Sequence, residues 1–273
     1  MNTIAIAPEM DSLKARLKAT WMAGDYDLFS RYMEPEARAF YERLDIPARC
    51  QLLDVACGSG QLALWAARDG VNVTGVDIAV NSIRRANARA KAEGLKARFL
   101  EADAEDLLFE DGSFDVVTSL IGAMFAPRPE RVARELLRVC SPGGTIAMAN
   151  WTPKGFVGQM FTAISKFIAP SGMPSPVLWG EPDVVRERLG HGVFSLTLKR
   201  SHYLMSYPFP PAEVVTFFQQ YYGPMNRAFA SLDESAAKEL REELEALWSA
   251  HNRGGDELTV VAAEYLEVIA TRA

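Results

Sequence analysis

The sequence predicts an α/β fold, a doubly wound and mostly parallel sheet. Three observations predict it. Short apolar runs alternate with helical stretches from Gln51 to about Asn150. A Gly-x-Gly turn, Gly58-Ser59-Gly60, joins the first run to the first helix. The second and third runs each end in a carboxylate, at Asp77 and Asp103. Strands that alternate with helices must cross over, which lays them parallel with helices on both faces.

The elements follow in order. Asp11 to Leu44 reads as helical, with Asp11-Ser12 as its cap and Leu13, Leu17 and Trp21 at helical spacing. Gly24-Asp25 interrupts it, and an aromatic-rich piece follows with Tyr26, Phe29, Tyr32, Met33, Phe40 and Tyr41. Leu52 to Val55 is the first strand, and Leu62 to Arg68 the first crossover helix. Val71 to Asp77 is the second strand. The next helix, Asn81 to Glu93, is expected to start on side-chain hydrogen bonds of Asn81 or Ser82 and to stop at Gly94. Ala97 to Ala104 carries the third strand, Phe114 to Ser119 the fourth, and Arg131 to Val139 the helix after it. Ser141-Pro142-Gly143-Gly144 makes a turn before a fifth, buried strand at Thr145 to Ala149.

Beyond Trp151 the rhythm changes. Phe156 to Ile168 reads as a helix, 169–181 as a loop, Asp183 to Leu189 as a short helix and Phe194 to Tyr207 as a strand. Ser231 to Ala250 is a charged helix and Glu257 to Thr271 a closing strand. Between them, Val214, Val215, Phe217, Phe218, Tyr221, Tyr222 and Met225 fall within an arc of about 160° on one helix. Such a face packs in a core or caps an apolar ligand. With Phe161, Met173 and Trp179 it would make an adaptable pocket.

Composition narrows the class. The 273 residues are 49% hydrophobic and 23% charged, the balance of a globular chain. A net charge of -6 argues against a sequence-independent grip on nucleic acid, which needs a basic surface. Cys50, Cys57 and Cys140 are an odd set without metal-ligand spacing, as expected of reduced thiols in a cytoplasmic protein, and no metal is expected. Met1 to Met10 lacks the features of a signal peptide, and no apolar run is long enough to span a bilayer.

Four motifs, Asp54-Val-Ala-Cys-Gly-Ser-Gly60, Asp77, Asp103-Ala104 and Ser141-Pro-Gly-Gly144, stand in an order that resembles the class I methyltransferases dependent on S-adenosylmethionine (SAM). The resemblance runs from about Leu52 to Trp151 and is to the small-molecule type, with a core similar to the ubiquinone and menaquinone biosynthesis enzymes. It implies a Rossmann-like sheet of seven strands, the last antiparallel. It implies that Asp54, Ala56, Gly58 and Gly60 surround the methionyl part of SAM and that Asp77, with Ile78 beside it, takes the ribose. Asp103 and Ala104 would meet adenine, and Ser119 would close the set from the fourth strand. The expected organisation is one domain over 1–273: a helical N-terminal lid at 1–45, the SAM core at 46–151, a substrate lid and helical insertion at 152–230, and a terminal helix and strand at 231–273. Asn150-Trp151-Thr152-Pro153 and the Gly-Phe that follows look like a bacterial branch of the small-molecule enzymes.

The expected reaction is methyl transfer to a small, partly apolar acceptor, leaving S-adenosylhomocysteine (SAH). Such a displacement needs positioning more than acid–base chemistry. His202, Tyr221 and Tyr222 are the candidates for a base. Two other readings share the motifs. A SAM- or SAH-binding module without turnover would keep the same loop. Gly58-x-Gly60-x-x-Ala63 followed by Asp77 also satisfies the pattern of an NAD-dependent dehydrogenase, which the acids at Asp54 and Asp103 and the Pro-Gly-Gly turn disfavour. An open groove would point instead to a protein acceptor.

Overall fold

The apolar runs between residues 51 and 151 form five parallel strands, because each is too short for a helix and is followed by a crossover. The computed structural model describes residues 10–169 and 172–273, so residues 1–9 of the expected lid and 170–171 of the expected loop lie outside the described residues. The strands are β1 (Gln51–Val55), β2 (Asn72–Asp77), β3 (Ala97–Glu101), β4 (Phe114–Leu120) and β5 (Cys140–Trp151), with β6 (Val193–Tyr207) and β7 (Thr259–Arg272) nearer the C-terminus. Their order in the sheet is β3-β2-β1-β4-β5-β7-β6. β7 runs antiparallel to both β5 and β6, as the resemblance implies. The strand order reverses at β1, which lies between β2 and β4. A crevice opens beyond the carboxyl ends of parallel strands at such a point.

The helices are α1 (Met10–Trp21), α2 (Tyr26–Ser30), α3 (Glu34–Arg43), α4 (Ala63–Arg68), α5 (Val80–Ala92), α6 (Pro129–Val139), α7 (Phe156–Ser165), α8 (Pro182–Leu189), α9 (Pro211–Tyr221), α10 (Gly223–Ala230) and α11 (Glu234–His251). Among them, α5 packs on β2 and β3, α6 on β4 and β5, and α7 and α11 on β7. Leu52, Leu53, Val117, Ile146 and Met148 are buried at the sheet centre.

Four local expectations need correction. The start of α5 does not rest on Asn81 or Ser82: the N–H of Ala79 donates to Asp77 Oδ1 at 2.8 Å, while Asn81 reaches Met22 O instead. Residues 211–230 form two helices rather than one. Tyr222 is extended, and Pro224 suits the first turn of a new helix because it has no N–H to satisfy. The Ser141–Gly144 turn is built into β5 as an irregularity, where the pairing with β4 shifts between Phe114 and Val116. The stretch expected to be all loop contains a 3₁₀ turn at Pro176–Gly180.

The break at Gly24-Asp25 sets how the N-terminal helices meet the rest of the chain. Gly24 has φ +70 and makes an isolated bridge with Tyr222, and Asp25 N donates to Tyr221 O at 3.1 Å. A Cβ on Gly24 would lie 2.5 Å from Tyr221 O. Gly24→Ala is therefore expected to lose at least about 1–2 kcal/mol from the left-handed conformation alone. A lower urea midpoint at an unchanged m-value would show it, and an unchanged midpoint would mean the α2–α9 contact is not rigid.

Candidate active site

Two adjacent chain ends form the floor of the crevice. Ala56, just past β1, has φ +58, and Ile121, just past β4, has φ +51. A left-handed β-branched residue is rare and costly, and it persists only where its surroundings hold it. Here Ile121 N donates to Ala149 O at 2.9 Å, and Gly122 approaches so closely that a Cβ on it would lie 2.6 Å from Ala56. Ser119 supports this from below: its hydroxyl donates to Val55 O and accepts from Ala123 N, both at 2.9 Å.

The glycine loop lies over this floor. Gly58 has φ +55, and its N–H donates to Asp77 Oδ2 at 2.9 Å, so the end of β2 holds the loop after β1. A Cβ on Gly58 would lie 3.1 Å from the Tyr26 ring. Gln61 Nε2 bonds to the hydroxyls of Ser59 and of Ser30 on α2, tying the loop to the N-terminal helices.

The crevice encloses about 980 Å³ including its open mouth, within the range of small-ligand sites. Asp54, Ala56, Gly58, Asp77, Ile78, Asp103 and Ala104 line it together, although they come from three strands. Gly60 and Ser119 do not. Gly60, within the loop, and Ser119, beneath it, are both buried and shape it without facing the space.

The three acids differ in state. Asp54 is buried and accepts from Thr118 Oγ1 at 2.9 Å, with no cationic side chain bonded to it among the described residues. Burial pushes its carboxyl up to about 7, with a smaller push from Asp77. Burial also raises Asp77, against the N–H groups of Ala79 and Gly58, which favour its ionised form. Asp103 is paired: Lys14 on α1 bonds to it, and also reaches the buried Glu105 at 2.6 Å. Arg128 holds the other side of Glu105 at 2.6 Å. Cys57 is buried and its thiol is raised far above the usual range, so it is no nucleophile.

A second cavity of about 360 Å³ adjoins the first. Trp21, Tyr26, Ile121 and Phe125 line both, forming a neck. Beyond it stand Phe29, Met33, Trp151, Val157, Met160, Met205, Phe218 and Tyr222. The rings support one another, with Phe29–Tyr222 at 4.7 Å, Phe29–Phe218 at 4.8 Å and Trp21–Phe125 at 4.9 Å.

The expected bases are not brought together. His202 is exposed on edge strand β6, and Tyr221 lines neither cavity. Tyr222 does line the second cavity, but burial raises its phenol, which stays protonated. Phe161, Met173 and Trp179 line neither cavity either. Phe161 packs on Phe125, and Trp179 is covered by Arg188 at 4.6 Å. The residues that sequence reasoning missed are Lys14, Tyr26 and Ile121. Lys14 pairs across 89 positions, which no local pattern reveals.

Residues 53–148 match the family described as a methyltransferase domain. The chain is 36% identical over 272 residues to an uncharacterised protein of Mycobacterium tuberculosis, covering 97% of each. It is 35% identical over 158 residues to the demethylmenaquinone methyltransferase of Thermus thermophilus, covering 55% of this chain and 72% of that one. The YcgJ protein of Bacillus subtilis shares the fold, with a TM-score of 0.61 at 16% identity over 87% of this chain and 98% of that one. The chain belongs to the class I SAM-dependent methyltransferases. Among the described residues no helix is long and apolar enough to cross a membrane.

Lys14 joins α1 to the acids after β3. Lys14→Met would leave buried Glu105 with Arg128 as its one cation among the described residues, and would leave α1 tied to the end of β3 by the Lys18–Glu101 pair alone. Faster amide exchange through α1, with the β1–β4 core unchanged, is the expected result. Unchanged exchange in α1 would mean that the ion pair does not hold the helix.

Proposed function

We propose that this methyltransferase acts on a small, partly apolar acceptor seated in the aromatic cavity, with SAM in the crevice and the neck between them as the place of transfer. The observation that carries this reading is the shared wall of Trp21, Tyr26, Ile121 and Phe125, which puts a polar, acid-lined space end to end with an apolar one.

The residues present fit the cofactor. Asp54 is a desolvated carboxylate without a cationic partner, which suits an ammonium. Gly58 lines the crevice in a left-handed conformation with no room for a Cβ between Gln61 and the Tyr26 ring, so the loop presents backbone there. Asp77 keeps acceptor capacity for hydroxyls, since each of its oxygens has more than one lone pair. In this reading Asp54, Ala56 and Gly58 hold the methionyl part, Asp77 and Ile78 the ribose, and Asp103 and Ala104 the adenine. Gly60 from within and Ser119 from beneath set the loop. SAM when bound supplies a methyl group already activated on a sulfonium. The chain's own task is alignment and exclusion of water, and orientation of this kind is worth roughly 7–11 kcal/mol of barrier. Helices α1 and α2, with α9 and α10, serve as the lid.

Calorimetric titration tests the reading: SAM and SAH are expected to bind and NADH to give no heat. Failure of SAM and SAH to bind folded protein would overturn it. The Asp54 carboxyl adds a pH signature. It is neutral below about pH 7 and ionised above, so pairing with an ammonium is available above that pH and lost as pH falls. SAM affinity is expected to drop by up to about tenfold per pH unit below the midpoint, with uptake of SAM there releasing a proton. Asp54→Asn should abolish this dependence. An affinity that stays flat from roughly pH 8 to pH 6 would remove Asp54 from the ammonium site.

A further inference from the structure

The walls of the aromatic cavity restrict the acceptor's chemistry further, on the basis of the methyl-transfer reading above. Among the described residues that line it, none is a carboxylate, histidine, lysine or thiol. Its polar side-chain groups are the phenols of Tyr26 and Tyr222 and the indole N–H groups of Trp21 and Trp151, all of them donors. Burial raises both phenols, so at neutral pH they donate protons in hydrogen bonds and do not remove them. A neutral hydroxyl would find no base on the walls of this cavity to take its proton as the new bond forms; the acids Asp54, Asp77 and Asp103 line the crevice on the other side of the neck.

Charge decides between the remaining nucleophiles. Methylating an amine would move the positive charge out of the acid-lined crevice into a cavity without a carboxylate, where an unpaired charge is costly. Aromatic faces offset only part of that cost. An oxyanion behaves in the opposite way. Its charge and that of the sulfonium cancel as the bond forms, and a low-dielectric cavity favours that loss of charge.

We propose that the acceptor offers an oxyanion, the ionised form of an acidic phenol, enol or carboxylic acid, on an otherwise apolar frame, and that Tyr26 at the neck hydrogen-bonds that oxygen. The acceptor oxygen bonds to the methyl carbon as the carbon–sulfur bond breaks, and that bond's electron pair stays on sulfur. No proton moves in the step, so no base is required. Tyr26 suits the donor's role by position: it lines both cavities, and its ring packs 6.1 Å from Trp21 and 5.6 Å from Phe29. The sulfonium is then the acceptor's counter-ion, and acceptor binding depends on the charge in the crevice.

That dependence is the test. An unreactive SAM analogue with an ammonium in place of the sulfonium is first titrated into the full chain, and SAH in parallel. Dinitrophenol, as an acidic phenol, and naphthoic acid, as a carboxylic acid, are then titrated into each complex, with naphthylmethylamine as the cationic control. The expected result is that at least one acid binds at least about tenfold more tightly beside the cationic analogue than beside SAH, while the amine does not. Which acid does so distinguishes the phenol or enol source from the carboxylate. Tyr26→Phe, which keeps the ring that lines the crevice, is expected to lower that acid's affinity roughly tenfold or more when measured with the analogue saturating, and an unchanged affinity would remove Tyr26 as the donor. Equal binding of both acids in the two complexes, no binding of either, or preference for the amine beside the analogue would overturn the proposal and leave methyl transfer standing. Failure of the analogue and SAH to bind would overturn the underlying reading as well.

Discussion

Two neighbouring parallel strands end in left-handed residues, and the geometry of the site depends on that constraint. Ala56 and Ile121 turn the chain away from β1 and β4 at the point where the strand order reverses. Gly122 lets the two ends touch, because a side chain there would collide with Ala56. The carbonyl of Ala149 on β5 and the hydroxyl of Ser119 hold the arrangement from beneath. Because Ile121 is held out of the usual backbone regions, its side chain reaches the neck and separates a polar space from an apolar one. The strain lies beside the proposed place of transfer, where a fixed wall is most useful.

The acids around the crevice are arranged by how much company each has. Asp77 is bonded by two backbone N–H groups and ties two strand ends together. Asp103 shares Lys14 with Glu105, so the end of the crevice proposed for adenine is also where α1 is anchored, together with the Lys18–Glu101 pair. Asp54 has the Thr118 hydroxyl, the backbone of Ala63 and, among the described residues, no cation, and burial shifts its titration into the neutral range. A buried carboxylate in that condition costs stability until a cation arrives, which couples occupancy of the crevice to the strength of the fold.

Much of this is legible in the sequence because it is local. Strand, glycine turn and helix succeed one another within residues 52–68, and Asp77 closes β2 as expected, whereas β3 ends at Glu101 and Asp103 lies two residues beyond it. The rest is set by distant contacts. The break between α9 and α10 is marked by Gly223-Pro224, yet the continuous apolar face suggested one helix. His202 drew attention as a rare titratable residue in a strand, but alternation on edge strand β6 turns it outward. Tyr26 looked like one aromatic among several in an N-terminal helix. Its place at the neck follows from the Gly24 bridge to Tyr222, which joins segments about 200 residues apart in sequence. Trp179, expected to help line an adaptable pocket, is buried beneath Arg188 and lines neither cavity.

In the proposed function the two cavities are the two halves of one reaction space. The most direct measurement is a crystal structure of the protein with SAH. The account predicts the adenine near Asp103, the ribose hydroxyls on Asp77 and the sulfur at the neck formed by Tyr26 and Ile121, facing the aromatic cavity. SAH bound with its sulfur turned away from that neck, or bound outside the crevice, would contradict it.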